Sequence, residues 1–276
     1  MSNLTIISLP IGNQKDITQR ALEALESNKT FYAEDTRVFK ELLKTYGISY
    51  QDKFIDSFHD QNQEKVNQII EKIKSGVEVC LVSDAGSPAI SDPAYPLMKA
   101  VVEENIDVDT IPGVTSVIVA LELSCLPPHP FHFWGFTGRT NSERTQFFDS
   151  LKSIKGTHIY FESPHRIYES VQNFFDIYPE NTLVVTRELT KQYQSVYRLK
   201  KADLGKVEEI IMQKGEFVLL FHNEEQKGEG VVSSKKLLEL VEDYMNEGGS
   251  PKKLAKIFSQ ITGEDTKAIY DKISRR

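Results

Sequence analysis

The chain has 276 residues, 39% hydrophobic and 26% charged, the composition of a folded soluble protein long enough for two domains. Its formal net charge of -7 argues against broad, non-specific binding of nucleic acid but leaves room for local basic patches. No apolar run approaches the ~20 residues that span a bilayer, and the first residues lack the basic and apolar segments of a secretion signal, so the cytoplasm is the expected location. Cys80 and Cys125, the two cysteines, both lie in apolar sequence and read as small buried thiols rather than a disulfide or a metal pair.

Leu4 to Ser8 reads as a short strand ended by Pro10-Ile11-Gly12-Asn13, with a helix starting near Asp16 as its N-cap. Helical spacing returns from Thr36 and again over Val66 to Ile73. Strand Val77 to Val82, helix Tyr95 to Glu104, strand Asp107 to Ile111 and helix Val114 to Leu123 follow. This alternation predicts a mostly parallel α/β sheet. Three prolines within Leu126 to Pro130 end it, which places a first domain at 1–126. A second α/β domain, 131–223, takes strands Phe131 to Phe136, Thr157 to Phe161, Leu183 to Arg187, Val196 to Leu199 and Phe217 to Phe221. Helices are expected near Glu143 to Lys152, His165 to Tyr178 and Ala202 to Lys214. A polar linker from His222 to Gly230 leads to a basic helical extension, 233–276, in three helices: Ser233 to Met245, Ser250 to Ser259 and Asp265 to Ile273. The extension reads either as a helix-turn-helix-like appendage or as a tail packed on the domain.

Five clusters of small, acidic and proline residues fall at predicted strand ends. They are Pro10 to Asn13, Glu34-Asp35-Thr36-Arg37, Ser83 to Pro93, Ile111 to Ser116, and Glu162-Ser163-Pro164-His165-Arg166. Strand ends are where pockets of α/β proteins are built, and five such clusters exceed what turns require. The Ser83 to Pro93 loop reads equally as an ordinary strand-to-helix turn, and Glu34-Asp35 equally as a helix start. There is no P-loop, no dinucleotide glycine fingerprint, no serine nucleophile elbow, and no histidine–cysteine spacing for a metal. Group transfer from a bound, activated donor fits that set of absences.

In order along the chain, Leu9-Pro10-Ile11-Gly12-Asn13, Ala33-Glu34-Asp35-Thr36-Arg37, Ser83-Asp84-Ala85-Gly86-Ser87-Pro88, Pro112-Gly113, Glu162-Ser163-Pro164-His165-Arg166 and Arg187-Glu188-Leu189-Thr190-Lys191 resemble the small-subunit ribosomal RNA methyltransferases of the tetrapyrrole methylase superfamily. The resemblance implies two α/β domains of the tetrapyrrole methylase type with a helical extension. It also implies a homodimer and S-adenosylmethionine-dependent 2'-O-methylation of a cytidine in the decoding region of 16S rRNA, with no metal and no membrane. Carried over residue by residue, the cofactor would meet Pro10, Gly12, Asp84, Ala85, Gly86, Ser87, Ala89, Ile90, Thr115 and Ser116, with Phe161 covering the adenine. Ser87, Ala89, Ala94 and Thr137-Gly138 depart from the family's usual residues.

Removing a proton from a ribose hydroxyl calls for a base, and His59, Glu162, His165 and Asp35 are the candidates. Arg37, Arg139, Arg166 and Lys191 are the cations expected to hold neighbouring phosphates. Two other functions use the same residues differently. One is C-methylation of a porphyrin-like ring, which has little need of Arg139, Arg166 or the basic tail. The other is a cofactor- or ribosome-binding module without turnover.

Overall fold

In the computed structural model, residues 3–58, 63–90, 94–224, 241, 244, 248–262 and 265–274 are described. Two compact units divide the chain, Met1–Glu224 and Glu225–Arg276.

The first unit holds two five-stranded sheets. In the first, β1 (Leu4–Ile7), β2 (Thr30–Ala33), β3 (Phe54–Ser57), β4 (Val79–Val82) and β5 (Val108–Ile111) run in the order β3-β2-β4-β1-β5. Every pairing is parallel. The sequence reading missed β2 and β3. All four residues of β2 are buried, so it lacks the alternation that marks a half-exposed strand.

Helices α1 (Gln19–Ser27), α2 (Thr36–Thr45), α3 (Gln63–Lys74), α4 (Ala94–Glu103) and α5 (Ser116–Ser124) connect these strands. The N-cap of α1 is Thr18, not Asp16: the Thr18 hydroxyl accepts from the Ala21 N–H at 3.1 Å, while Asp16 closes a preceding 3-10 turn. Helix α5 (Ser-Val-Ile-Val-Ala-Leu-Glu-Leu-Ser) is apolar nearly all round, but it buries one face, Val117, Ala120, Leu121 and Ser124, and leaves Ile118 exposed. Val117, Ala120 and Leu121 join Ile11 in a core shared with Ile159, Val184, Val218 and Leu220 of the second sheet.

That sheet combines β6 (Phe131–Phe136), β7 (Gly156–Glu162), β8 (Leu183–Arg187), β9 (Ser195–Leu199) and β10 (Phe217–Asn223) in the order β6-β7-β10-β8-β9. Only β6 and β7 pair in parallel; the other pairings are antiparallel. Helices α6 (Asn141–Ser150) and α7 (Ile167–Ile177) cover an aromatic core that includes Phe148, Phe174, Phe175 and Phe221. The helix expected over Ala202 to Lys214 is a 3-10 stretch followed by a single turn, α8 (Val207–Ile210). Strand β10 continues through His222 and Asn223, both expected in the linker; the Asn223 amide donates to the carbonyls of Leu151, Lys152 and Ile154, which fixes the strand end.

Cys80 is buried, and burial pushes its thiol up to about 12. Cys125 corrects the sequence expectation: it is exposed, in the left-handed position that ends α5. In the second unit, Ser250 and Pro251 open α9 (Pro251–Thr262), which packs on α10 (Thr266–Ser274) around buried Ala255 and Ile269. The expected helix Ser233 to Met245 lies almost wholly outside the described residues. No helix among the described residues is long and apolar enough to cross a membrane.

Candidate active site

A parallel sheet sends every strand's carboxyl end to one edge. The segments after β1, β2, β4 and β5 therefore meet there, and these are four of the five clusters read from the sequence. They are tied together by backbone N–H donors, which bond backbone carbonyls and two carboxylates. Leu9 and Gly86 exchange both backbone hydrogen bonds, at 2.8 and 3.0 Å, with Gly86 at φ +69, where a side chain would be strained. The Asp35 N–H donates to Asp84 Oδ1 at 3.0 Å, and the Asp84 N–H donates to Glu34 Oε2 at 3.4 Å.

Facing this edge, the segments after β7 and β8 and the one before β10 complete a cavity of about 560 Å³. That lies within the ~300–1,000 Å³ of small-molecule sites. Ile11, Glu34, Asp84, Ala85 and Ser116 line it from the first half. Phe136, Phe161, Glu162, Ser163, Pro164, Leu189 and Gly215 to Val218 line it from the second. Phe136 and Phe161 cross edge-on with centroids 5.4 Å apart.

Of the expected cofactor residues, Asp84, Ala85, Ser116 and Phe161 meet in this cavity. Pro10, Gly12, Gly86, Ser87, Ala89, Ile90 and Thr115 stand outside its lining. Gly86 has both backbone groups committed to Leu9, and a Cβ on Gly12 would lie 2.4 Å from Lys191 Cγ and 3.0 Å from the Leu189 carbonyl. Gly12 therefore lets the first loop close on the Leu189–Lys191 segment. The sequence reading missed Glu34 as a lining residue, Phe136, Leu189 and Gly215 to Val218. Glu34 could have been found from its place beside Asp35 at a strand end; the others carry no local signal.

The expected bases separate. Glu162 lines the cavity, yet its carboxylate is saturated. It accepts from the Thr137 hydroxyl, from the Ser163 N–H at 2.7 Å and from Arg166 at 2.9 and 3.0 Å, with no exposure of its side chain. This is the bonding of a group that positions two loops rather than of a free base. Arg144, fully buried, supports the same region by donating to the Arg139 carbonyl, Asn173 and Glu169. Asp35 caps α2, and the Arg37 guanidinium on it holds its carboxyl well below the usual carboxylate range, which makes it a poor proton acceptor. His165 is exposed outside the cavity lining, and His59 lies outside the described residues.

Asp84 behaves in the opposite sense. Asp84 is exposed as a residue, yet partial desolvation of its carboxyl, with the nearby Asp35 charge, raises it above the ordinary value, and the hydrogen bond from the Asp35 N–H works the other way. Among the expected cation contacts, Arg37 and Arg139 are exposed and Arg166 is held by Glu162. Lys191 bonds both Glu188 and Glu216 at 3.0 Å, so its ammonium ties two loops together. No group of three histidine, cysteine or acidic residues fit to hold a metal occurs among the described residues.

The tetrapyrrole (corrin/porphyrin) methylase family matches residues 3–205. A Vibrio cholerae protein named ribosomal RNA small subunit methyltransferase I is 36% identical over 97% of this chain and 92% of its own length. A Bacillus subtilis protein of the same name is 33% identical over 98% and 94%. Among solved structures, a diphthine synthase superposes with a TM-score of 0.62 at 18% identity, over 80% of this chain and 90% of its own. A cobalt-precorrin-4 methyltransferase of cobalamin biosynthesis gives 0.58 at 21% identity, over 79% and 94%. These two likenesses establish the fold.

Proposed function

The chain belongs to the tetrapyrrole methylase family, in its ribosomal RNA small subunit methyltransferase I branch, and from that membership we propose that it methylates small-subunit ribosomal RNA with S-adenosylmethionine, at the 2'-oxygen of a cytidine in the decoding region. The observation that carries the reading is the cavity, whose lining combines the carboxylates Glu34 and Asp84 with the crossed rings of Phe136 and Phe161. Carboxylates suit the ammonium and sulfonium of the donor, and aromatic and apolar walls suit its adenine. The donor residues present therefore fit the group.

When bound, S-adenosylmethionine supplies an electrophilic methyl carbon on a cationic sulfur. The methyl would pass to the ribose 2'-oxygen with S-adenosylhomocysteine as the leaving group, and the hydroxyl proton would pass to solvent water. The protein's part is alignment, for which rigid, mutually bonded loops are the requirement. Asp84, whose ionised form is disfavoured by partial desolvation and by Asp35, gains from a cation placed beside it. Glu162 fixes the Thr137 and Arg166 loops, and Arg37 and Arg139 are exposed for phosphates of the acceptor strand.

Mapping ribose methylation of the small-subunit rRNA in cells with and without this gene tests the proposal. One decoding-region cytidine should lose its 2'-O-methyl group on deletion and regain it with the purified protein and labelled donor. An unchanged map, or label found in a tetrapyrrole and absent from rRNA, would refute it.

A further inference from the structure

Arg187, the last residue of β8, is only 6% exposed. Its guanidinium donates to the Lys214 carbonyl at 2.5 Å, the Tyr193 carbonyl at 3.2 Å and the Met212 sulfur at 3.5 Å. Those bonds use three of the five N–H donors, the sulfur being a weak acceptor. No ion pair within 4 Å of the Arg187 guanidinium occurs among the described residues; the neighbouring Glu188 carboxylate feels its charge without bonding it. Buried cations are ordinarily paired, because removal from water costs several kcal/mol that an anion must offset.

Arg187 also lines an open groove of about 770 Å³, together with Tyr193, Tyr197, Gln192, Gln213 and Met212. Tyr193 and Met212 are 66% and 62% exposed, large apolar surfaces left in water. The segment from Glu188 to Gln194 separates this groove from the cavity of the active site: Leu189 lines the cavity and Gln192 the groove. Gln192 continues into a second open depression lined by Gln14 and exposed Lys15. Glu208 and Glu209 on the rim disfavour a polyanion spread along the groove and leave room for a point contact at Arg187.

We propose that Arg187 anchors one backbone phosphate of the single RNA strand flanking the target nucleotide, with Tyr193 as the stacking platform for an adjacent base. The inference rests on the rRNA reading for the identity of the strand. A guanidinium with two N–H donors unused supplies the charge-assisted contact, an exposed ring stacks on a base whatever its identity, and the glutamine amides offer donors and acceptors to base edges.

The test uses the full-length protein with Arg187→Gln and, because Arg187 also holds two backbone carbonyls, the surface variant Tyr193→Ala. Two quantities are measured: anisotropy of a labelled single-stranded RNA bearing the decoding-region sequence, and kcat and KM for methylation of small subunits. Each variant should weaken RNA binding and raise KM by about tenfold with kcat held. Arg187→Gln should also flatten the salt dependence of binding by about 0.7 in log–log slope, the loss of one phosphate contact. A wild type that methylates rRNA while Tyr193→Ala binds and turns over normally overturns the groove assignment and leaves the function standing. A wild type that binds RNA through both residues yet methylates none keeps the groove and removes the function. If the variants raise KM on subunits but bind free RNA as wild type does, the groove faces a ribosomal protein and the strand assignment falls.

Discussion

Every tie of the first-half wall has a backbone N–H as its donor, whereas the second-half wall is held by ion pairs and hydrogen bonds between side chains. Leu9 with Gly86, and Asp35 with Asp84, join loops that leave neighbouring parallel strands at the same edge, close enough for main-chain contact. In the largely antiparallel second sheet, successive connections alternate edges, so segments meeting at the cavity are bridged by longer groups. Glu162 reaches Thr137 and Arg166; Lys191 reaches Glu188 and Glu216. The consequence is chemical. Backbone donors occupy one oxygen each of Asp84 and Glu34, and neither carboxylate is ion-paired among the described residues, so both remain in the lining to meet a cationic ligand, while the charges of the second wall are consumed in holding its shape.

Glu162→Ala should have the largest effect on this division. It leaves the Thr137 hydroxyl, the Ser163 N–H and the Arg166 guanidinium without their acceptor. The expected loss of stability is about 3 kcal/mol, the low end for breaking a buried pair, because 23% of the Arg166 side chain already meets solvent. Denaturant unfolding measures it. A loss below about 1 kcal/mol would mean that the carboxylate does not hold the wall.

Gly12→Ala tests the seam between the walls. Its Cβ would meet Thr190 Oγ1 at 2.9 Å and the Leu189 carbonyl at 3.0 Å as well as the Lys191 side chain. The lysine stem can move, but the carbonyl cannot do so without shifting a segment that holds Glu188 and Thr190 at positive φ. About 1–2 kcal/mol of destabilisation is expected, with a weaker donor affinity by calorimetry. Unchanged affinity and stability together would separate the seam from the cavity.

The strand-end clusters were legible because a dense run of small and acidic residues after an apolar stretch is a local signal. Asp84 and Glu162 could be placed at one site on that ground, and Glu34 belonged to a cluster already read there. Their partners could not be placed. Thr137 and Glu162, or Lys191 and Glu216, are 25 residues apart and meet only through sheet topology, so whether a charge faces ligand or neighbour is a tertiary fact. β2 and β3 escaped for a local reason: Thr30-Phe31-Tyr32-Ala33 and Phe54-Ile55-Asp56-Ser57 lack the aliphatic run that marks the equally short β4. Cys125 misled for a related reason. Its neighbours are apolar, but the left-handed turn that ends α5 carries the thiol to the surface.

Asp84→Asn is the smallest perturbation and the most diagnostic of the first wall. The folded-state pKa of Asp84 is raised, so its ionised form works against folding. That opposition is absent below the unfolded carboxyl value of about 3.9 and complete above the folded one. The ligand-free variant should therefore match wild type in acid and be slightly more stable at neutral pH, since the amide oxygen still accepts from the Asp35 N–H. Donor affinity should move the other way. Wild type should lose it as pH falls through a value above the ordinary carboxyl range, and Asp84→Asn should bind weakly with no such pH step. Denaturation and titration calorimetry across that range read both effects. A variant that is less stable at neutral pH, or one that binds donor with the wild-type pH profile, would place Asp84 among the structural ties and remove the distinction between the two walls.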